Sequence, residues 1–257
     1  MAPLPKKILV FGATGVIGYD TVISALGRST ILLQIPLLRL AEASRPIHTF
    51  FPSEFGADIE YSPRTSPHEK PHQLKLQVRD YVRGHIRKVA VTYLVTGPYS
   101  DLYLSAQTGG FERAGNFNVK GGKAVLLGDG HGRVAFTSMR DVGGLLVAAL
   151  KTPVEVLPRV LKVNSFTATP RGILAEFERQ TGKEWSVEYT SAEELRRLEA
   201  EAWKKGDGTR YTLRSIWTEG GTLYSERDNG RVGEPNVETL EGQVRRAIEK
   251  QGEVGQA

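Results

Sequence analysis

Short apolar runs alternate with helix-like patterns along the first part of the chain. Four compact runs each end at glycine, proline or a small residue, which is typical of buried parallel strands. They lie at residues 8–11, 19–25, 47–51 and 89–95. Between them, Ile31–Ala43 and His72–Lys88 carry apolar residues at helical spacing. This alternation predicts an α/β fold, a parallel sheet with helices on its faces.

The remainder of the chain mixes shorter predicted strands and helices. Strands are predicted at residues 134–137, 161–164 and 185–190. Helices are predicted over residues 142–150, 170–180, 191–204 and 239–250. Thr169-Pro170 and the capping-box pattern Ser191-Ala192-Glu193-Glu194 are helix start signals. We therefore expect a sheet domain over residues 6–150 and a smaller α+β cover domain over 151–250, with interleaved elements.

The composition predicts a protein with a sizeable core and excludes cysteine chemistry. Of the 257 residues, 40% are hydrophobic and none is cysteine. Disulfides, thiolate metal sites and thiol nucleophiles are therefore excluded. No apolar run reaches the length of about 20 residues that spans a membrane, and the first residues do not form a signal-peptide core. These features predict a cytoplasmic protein without a membrane partner.

The basic balance of the chain does not point to nucleic acid. The formal net charge is +5, but the basic residues are dispersed, and no aromatic ladder or nucleic-acid motif accompanies them. Arg79, Arg83 and Arg87 recur at helical spacing in one predicted helix, and Arg196 and Arg197 lie in another. We expect these arginines on solvated helix faces.

A glycine motif follows the first apolar run directly. Residues 12–18 read Gly-Ala-Thr-Gly-Val-Ile-Gly. In this position glycines permit a tight turn and close backbone approach to a pyrophosphate, whose charge the next helix stabilises. The motif predicts dinucleotide binding, although a plain glycine turn would read the same way. The predicted cofactor-binding residues here are Gly12, Thr14, Gly15, Val16, Ile17 and Gly18.

Two further strands end in small residues where a flat ligand could approach. One exit is residues 24–27, and the other is residues 52–56. Ligands of open α/β sheets bind outside the carboxyl ends of the strands. Both segments would also serve as ordinary strand exits. The predicted cofactor-binding residues are Ser24, Ala25, Leu26, Gly27, Pro52, Ser53 and Phe55.

These segments, taken in order, resemble the NmrA-like/isoflavone reductase-like family, an atypical branch of the short-chain dehydrogenases. The resemblance runs collinearly from about residue 6 to residue 248. The stretches that carry it are residues 12–18, 22–27, 50–56, 74–79, 92–99, 136–143 and 169–170. The resemblance implies a Rossmann-like NAD(P)-binding domain over residues 6–150. It favours NADP(H) over NAD(H) as the cofactor.

The resemblance also implies an activity, the NAD(P)H-dependent reduction of a small organic molecule, aromatic or otherwise typical of secondary metabolism. The family's catalytic lysine lies in a K-x-x-V-R helix, which places it at Lys75 here. A lysine can polarise the substrate or shuttle a proton when its pKa is lowered. From its own spacing alone, Lys75 would be a solvated helix residue. Tyr99 and Tyr103 follow the fourth predicted strand and are expected to line the substrate pocket.

The chain departs from the family pattern directly after the glycine motif. Family members place helix, strand, helix and strand before the Val22–Gly27 segment, whereas Gly18 here adjoins Tyr19. The nine residues from Gly12 to Asp20 span about 30 Å when extended but about 13 Å as a helix. Parallel neighbours usually need a crossover of about a dozen residues. The residues between Gly12 and Asp20 can therefore lead back to the start of a parallel neighbour or form the phosphate-binding helix, but not both. The alternative is a hairpin between the first two strands.

We therefore expect a truncated Rossmann-like sheet with weakened or absent dinucleotide binding. The ribose-binding acidic residue that normally follows the glycines by about 20 positions has no counterpart, since Leu38, Arg39 and Glu42 fall in a helical pattern. Two alternatives to an active reductase stay open. One is a non-catalytic NAD(P)-sensing or protein-binding regulator, and the other is an inactive truncated isoform.

Other polar and aromatic residues are expected to serve the fold. His68 and His72 have the spacing of a zinc pair, but no third ligand is evident, and Pro71 lies between them. Asp141 is expected to cap a helix and anchor the fold. Three tryptophans are expected to pack in the core or between domains: Trp185, Trp203 and Trp217.

Overall fold

The computed structural model describes residues 8–11, 20–106, 109–154 and 156–253. The chain forms two compact units, each assembled from three stretches. Unit 1 comprises Met1–Thr96, Val142–Val163 and Glu226–Pro235, and unit 2 comprises Gly97–Asp141, Asn164–Ser225 and Asn236–Ala257. The units interleave along the chain, and residues 97–141, which the sequence places in the first domain, lie in unit 2.

The described elements run in chain order as follows. The strands are β1 (Ile8–Phe11), β2 (Thr21–Ser24), β3 (Thr49–Phe51), β4 (Ala90–Val95), β5 (Asn116–Asn118), β6 (Lys123–Leu127), β7 (Val134–Phe136), β8 (Arg159–Lys162), β9 (Phe166–Ala168) and β10 (Ser186–Thr190). The α-helices are α1 (Gln34–Ala43), α2 (Gln73–His85), α3 (Ser100–Tyr103), α4 (Met139–Leu150), α5 (Pro170–Thr181), α6 (Ala192–Lys204), α7 (Thr209–Thr218) and α8 (Leu240–Glu253). Short 3₁₀ helices cover Arg28–Leu33, Ser66–His68, Lys70–His72, Glu112–Ala114 and Gly230–Val232.

The described strands of unit 1 form one sheet in the order β1-β2-β3-β4-β8. Every neighbouring pair is parallel, which confirms the predicted sheet. Ile8 pairs with Thr21 and Phe11 with Ser24, so β1 and β2 run in the same direction. The alternative prediction of a hairpin between these two strands is therefore wrong. The glycine motif at residues 12–18 lies outside the described residues.

The core of unit 1 lies between this sheet and its helices. Val78 and Val82 lie one turn apart on α2 and are buried with Phe50 and Val91 of the sheet. The predicted helix over residues 31–43 is split, because a 3₁₀ helix precedes α1. Pro36 has no N–H to donate to the preceding turn, so it fits only the first turn of an α-helix.

Unit 2 contains two small sheets that pack against aromatic residues. In one, β6 pairs in parallel with β10 and antiparallel with β5, and in the other β7 pairs antiparallel with β9. The β5–β6 pair was not predicted, although Gly121-Gly122 lies between an alternating segment at residues 116–120 and an apolar run at residues 124–127. The buried aromatic residues of this core are Tyr103, Phe117, Phe136, Phe177 and Trp185.

Asp141 anchors unit 2 but does not cap a helix, which corrects half of its predicted role. Helix α4 begins at Met139, and the Ser138 hydroxyl accepts the Asp141 N–H at 3.0 Å. The cap is therefore Ser138. The Asp141 carboxylate instead accepts the Ser165 hydroxyl at 2.5 Å and the Glu238 N–H at 2.8 Å. These two bonds join segments that lie far apart in the sequence.

Two other predicted helix starts are confirmed. The Thr169 hydroxyl accepts the Gly172 N–H at 3.0 Å ahead of Pro170, the first residue of α5. The Ser191 hydroxyl accepts the Glu194 N–H at 3.1 Å at the start of α6. Within the described part of the chain, no helix has the length and apolarity needed to cross a membrane.

Candidate active site

The exits of β2 and β3 lie side by side, as the parallel pairing of these strands requires. Ile23 pairs with Phe51 in register, so both chains leave the sheet at the same edge. The Ser53 hydroxyl then donates to the Leu26 carbonyl oxygen at 3.0 Å. The structure thus joins the two predicted cofactor-binding segments, residues 24–27 and 52–55, into one surface.

Gln34 holds this surface against the start of α1. Its side chain is buried, and its Oε1 accepts the Ser53 N–H at 2.7 Å. Its Nε2 donates to the Ile31 carbonyl oxygen at 3.2 Å. Gln34 therefore fixes the β3 exit through the amide hydrogen of Ser53, a role that the helical pattern around it did not reveal.

The β2 exit is open and lined by small residues. Ala25 and Gly27 are exposed, and a methyl group added to Gly27 would meet no heavy atom within 4 Å. The Ser24 hydroxyl is buried and has no hydrogen-bond partner among the described residues. An open, small-residue surface next to an unpaired polar atom fits the approach of a flat, polar ring, as the nicotinamide end of a dinucleotide requires.

Lys75 brings an ammonium group to the β3 exit. It lies in the first turn of α2, and its Nζ donates to the Glu54 carbonyl oxygen. Its side chain is half-buried. Burial lowers the pKa of Lys75, the Glu54 carboxylate opposes that shift, and the positive charges of Arg28 and Arg79 lower the pKa further. Lys75 is therefore not a freely solvated helix lysine.

A buried ion pair fixes the segment that Lys75 contacts. Arg79 Nε donates to Glu54 Oε1 at 3.0 Å, and Nη2 donates to Oε2 at 3.2 Å. The two side chains are 1% and 2% exposed. The Arg79 guanidinium also lies 4.5 Å from the centre of the Tyr93 ring on β4. Arg79 was expected on a solvated face, and that expectation is wrong because it pairs with a carboxylate on the β3 exit.

Further acidic residues extend this network toward β8. Arg79 Nη1 donates to Glu60 Oε2 at 2.6 Å. Asp58 lies 2.8 Å from the Lys162 ammonium. Burial raises the pKa of Asp58, but the hydrogen bond and charge of Lys162 outweigh burial and lower the pKa below its ordinary value. The loop after β3 is thus fixed by three charged contacts, through Glu54, Asp58 and Glu60.

The backbone at Phe55 and Gly56 lies close to the lysine. Phe55 has a φ of 21°, which is uncommon for a residue with a side chain. A methyl group on Gly56 would lie 3.9 Å from the Lys75 Nζ. The Gly56 carbonyl oxygen accepts the Thr96 N–H at 3.0 Å, which ties this turn to the end of β4.

The two predicted substrate-binding tyrosines belong to unit 2. Tyr99 is half-buried, precedes α3 and pairs with Thr137 in an isolated bridge. Tyr103 is 3% exposed and packs against Phe136 with ring centres 4.8 Å apart. Tyr99 therefore keeps part of its surface exposed, whereas Tyr103 belongs to the aromatic core of the unit.

The histidine pair and the tryptophans serve local contacts. His72 Nδ1 lies 2.7 Å from a Glu69 carboxylate oxygen, and no group of three potential metal ligands occurs in the described ranges. Trp185 and Trp217 pack with the core of unit 2, as predicted. Trp203 Nε1 donates to the Thr212 hydroxyl at 3.0 Å.

The sheet and its strand exits define the class of this protein. An all-parallel sheet with helices on its faces, whose adjacent exits form an open surface, is characteristic of Rossmann-like α/β proteins. The chain belongs to the NmrA-like family, whose model matches residues 16–203. This confirms the resemblance identified from the sequence.

Characterised relatives and solved structures agree with this assignment. The chain is 30% identical to the oxidoreductase aprR of Aspergillus flavus over 74% of its own length and 61% of that protein's. It is 28% identical to isoflavone reductase of Pisum sativum over 68% of its length and 54% of that protein's. The chain also resembles a structure of AtPrR2 with NADP⁺ and (+)-pinoresinol, with a TM-score of 0.74 and 20% sequence identity. The superposition covers 90% of this chain and 76% of the AtPrR2 chain. The chain therefore spans less than two thirds of each of these two sequence relatives. The structural match confirms the Rossmann-like fold.

Proposed function

We propose that this protein is an NADPH-dependent oxidoreductase that reduces a small aromatic molecule of the secondary-metabolite type. One observation carries the proposal: the Lys75 ammonium lies at the shared exit of β2 and β3, held by the Glu54 carbonyl oxygen. The family assignment and the reductase names of the relatives support the reaction class. The small-residue surface beside Lys75 supports a flat cofactor ring.

In this proposal NADPH, when bound, supplies a hydride. Residues 24–27, of which Ala25 and Gly27 are exposed, would hold the nicotinamide end together with Pro52, Ser53 and Phe55. The Ser53 hydrogen bond to Leu26 would keep the two segments in one plane. The Lys75 Nζ would donate a proton to the substrate oxygen, or polarise it, since its lowered pKa makes that proton easier to release.

Lys75 needs a fixed position to act in this way. The Glu54 carbonyl oxygen accepts from its Nζ, while the Glu54 carboxylate is fixed by Arg79. Arg79 is therefore a positioning residue that acts through Glu54. In unit 2, we propose Tyr99 as a substrate contact because it is half-buried, and Tyr103 as a supporting wall because it is buried.

We also propose that the dinucleotide binds weakly. β1 and β2 are adjacent and parallel, and the nine residues from Gly12 to Asp20 are all the chain available to connect them. A crossover of this kind usually takes a dozen residues or more, which leaves little chain for a phosphate-binding helix. Gly12, Thr14, Gly15, Val16, Ile17 and Gly18 remain the proposed phosphate contacts, and a cytoplasmic location remains a prediction.

NADPH oxidation with a panel of aromatic enones and benzylic ethers tests the reaction. Lys75→Met is expected to lower kcat by about 10²–10⁴-fold, the usual contribution of a positioned acid or base, with NADPH affinity unchanged. Lys70→Met is the matched control, because Lys70 is exposed just before the same helix. Turnover that survives in Lys75→Met would overturn the assignment. NADPH binding without turnover of any panel member would favour a regulator.

A further inference from the structure

Arg214 is a buried cation in unit 2 that the proposed reaction does not use. It lies on α7 and is 4% exposed. Its guanidinium carbon lies 4.3 Å from the centre of the Tyr103 ring and 4.8 Å from that of Trp217. Such stacking on aromatic faces stabilises a cation only in part, so the charge itself still needs a partner.

Two buried N–H donors at this place lack an acceptor in the part of the chain that the structure describes. The Arg214 Nη1 is buried and has no hydrogen-bond partner among the described residues, and the same holds for the Trp217 Nε1. The two residues lie one turn apart on α7 and are in contact. Buried donors are nearly always paired. The pair therefore points to a missing acceptor within reach of both donors.

No carboxylate of the described residues balances Arg214. Burial lowers its pKa to about 10, the Tyr103 phenol raises it and the Arg210 cation lowers it, and no acidic side chain contributes. The contrast with Arg79 is direct, because Arg79 is equally buried but pairs with Glu54. An unpaired buried charge is costly, so an anion bound beside Arg214 would stabilise it.

We propose that Arg214 and Trp217 bind the carboxylate of an aromatic acid. A guanidinium fork matches a planar carboxylate in geometry and charge. A phosphate dianion would bring two negative charges to a place with one buried cation, so a monoanion fits better. The rings of Tyr103 and Trp217 border that cation, so the surroundings of the guanidinium are aromatic. The binding of an aromatic carboxylate at Arg214 does not depend on the proposed reductase function. Only the further step, that the bound acid is the substrate, rests on that function.

Equilibrium binding of benzoate to the full chain, without nucleotide, tests the site. Calorimetry and tryptophan fluorescence should both report binding, since Trp217 lies beside the guanidinium. Benzamide has the same shape without the charge, and it should bind at least tenfold more weakly. Equal affinity for benzoate and benzamide, or no benzoate binding to the unmodified chain, would overturn the proposal without requiring any variant.

Variants of α7 give the second arm of the test. Arg214→Met should weaken benzoate binding at least tenfold, and Arg214→Lys should fall between the two because a lysine keeps the charge without the fork. Arg210→Met is the matched control, since Arg210 is exposed on the same helix and lies over the Phe111 ring at 4.1 Å. It should change benzoate affinity by less than twofold. An equal effect of Arg210→Met and Arg214→Met would contradict a specific site.

Thermal melting separates a binding role from a structural one. If Arg214 serves a ligand, Arg214→Met should keep or raise the Tm, because it removes an unpaired buried cation, while benzoate binding is lost. A strongly lowered Tm together with no benzoate binding to the unmodified chain would show a purely structural stack and refute the site. Failure of this proposal leaves the Lys75 experiment unaffected, because benzoate binding is measured without NADPH.

Discussion

Removal of the Arg79 charge should destabilise unit 1 strongly. In Arg79→Met the Glu54 carboxylate loses both of its guanidinium hydrogen bonds, at 3.0 and 3.2 Å, and stays buried at 2% exposure. Breaking a buried ion pair from one side typically costs about 3–5 kcal/mol, because the remaining charge is uncompensated. We expect a loss of that size in the free energy of unfolding.

Urea unfolding followed by circular dichroism measures this loss. Arg83→Met is the control, because Arg83 lies one turn further along α2 and contacts Glu60 and Asp80 at 47% exposure. An exposed pair of this kind contributes about 0–1 kcal/mol. If Arg79→Met cost no more than Arg83→Met, the buried ion pair would not stabilise the β3 exit.

A double variant isolates the interaction between the two side chains. Glu54→Gln alone leaves the Arg79 guanidinium buried without a charged partner at that point, so it should also be destabilising. Because the two residues are in contact, Glu54→Gln combined with Arg79→Met should cost less than the sum of the single variants. Additive losses would show that the two residues act independently.

Three further outcomes follow from the same structure. Gly27→Leu should fold normally, since Gly27 has a φ of −71° and open space around it. Its affinity for NADPH, measured by calorimetry, should fall at least tenfold, and unchanged affinity would contradict a cofactor surface at residues 24–27. If Lys75 donates a proton, kcat should fall as the pH rises through its lowered pKa, and a falling limb in the pH profile at or above the ordinary value of 10.5 would contradict this. Asp141→Ala leaves the Ser165 hydroxyl and the Glu238 N–H without their acceptor. The free energy of unfolding, measured in urea, should fall by about 1–3 kcal/mol, while the affinity for NADPH stays the same. A loss of NADPH affinity would refute a purely structural role for Asp141.

The sheet of unit 1 could be predicted because each buried strand is a separate apolar run. β2, β3 and β4 all fall inside predicted runs, and the helix α2 between them follows its apolar spacing. Their parallel arrangement follows from the alternation of strand and helix. The observed ends of helices and strands differ from the predicted ones by a few residues, because local hydrogen bonding rather than apolar spacing determines where an element ends.

The contacts that shape the candidate site were harder to predict because they join distant parts of the chain. Glu54 falls within a segment identified from the sequence, but its partner Arg79 lies 25 positions later and has the spacing of a helix surface residue. Gln34 contacts Ser53 across 19 positions. A single sequence does not reveal such pairs, although the i, i+4 spacing of Lys75 and Arg79 places both on one face of the helix.

Unit 2 was less predictable for a related reason. The Arg214 environment depends on Tyr103, which is more than a hundred residues away along the chain. The β5–β6 pair carries a signal that could have been used, because Gly121-Gly122 lies between an alternating segment at residues 116–120 and an apolar run at residues 124–127. For Asp141, helix-cap chemistry favoured a local role, whereas its carboxylate instead joins Ser165 and Glu238.

A calorimetric titration with NADPH tests most directly the claim that the short β1–β2 connection weakens a reductase cofactor site. We predict saturable binding with a Kd of about 100 µM or weaker, which is a hundredfold, or about 2.7 kcal/mol, short of micromolar affinity. A Kd near 1 µM would show that nine residues between parallel neighbours are enough for a complete phosphate site, and it would contradict the account.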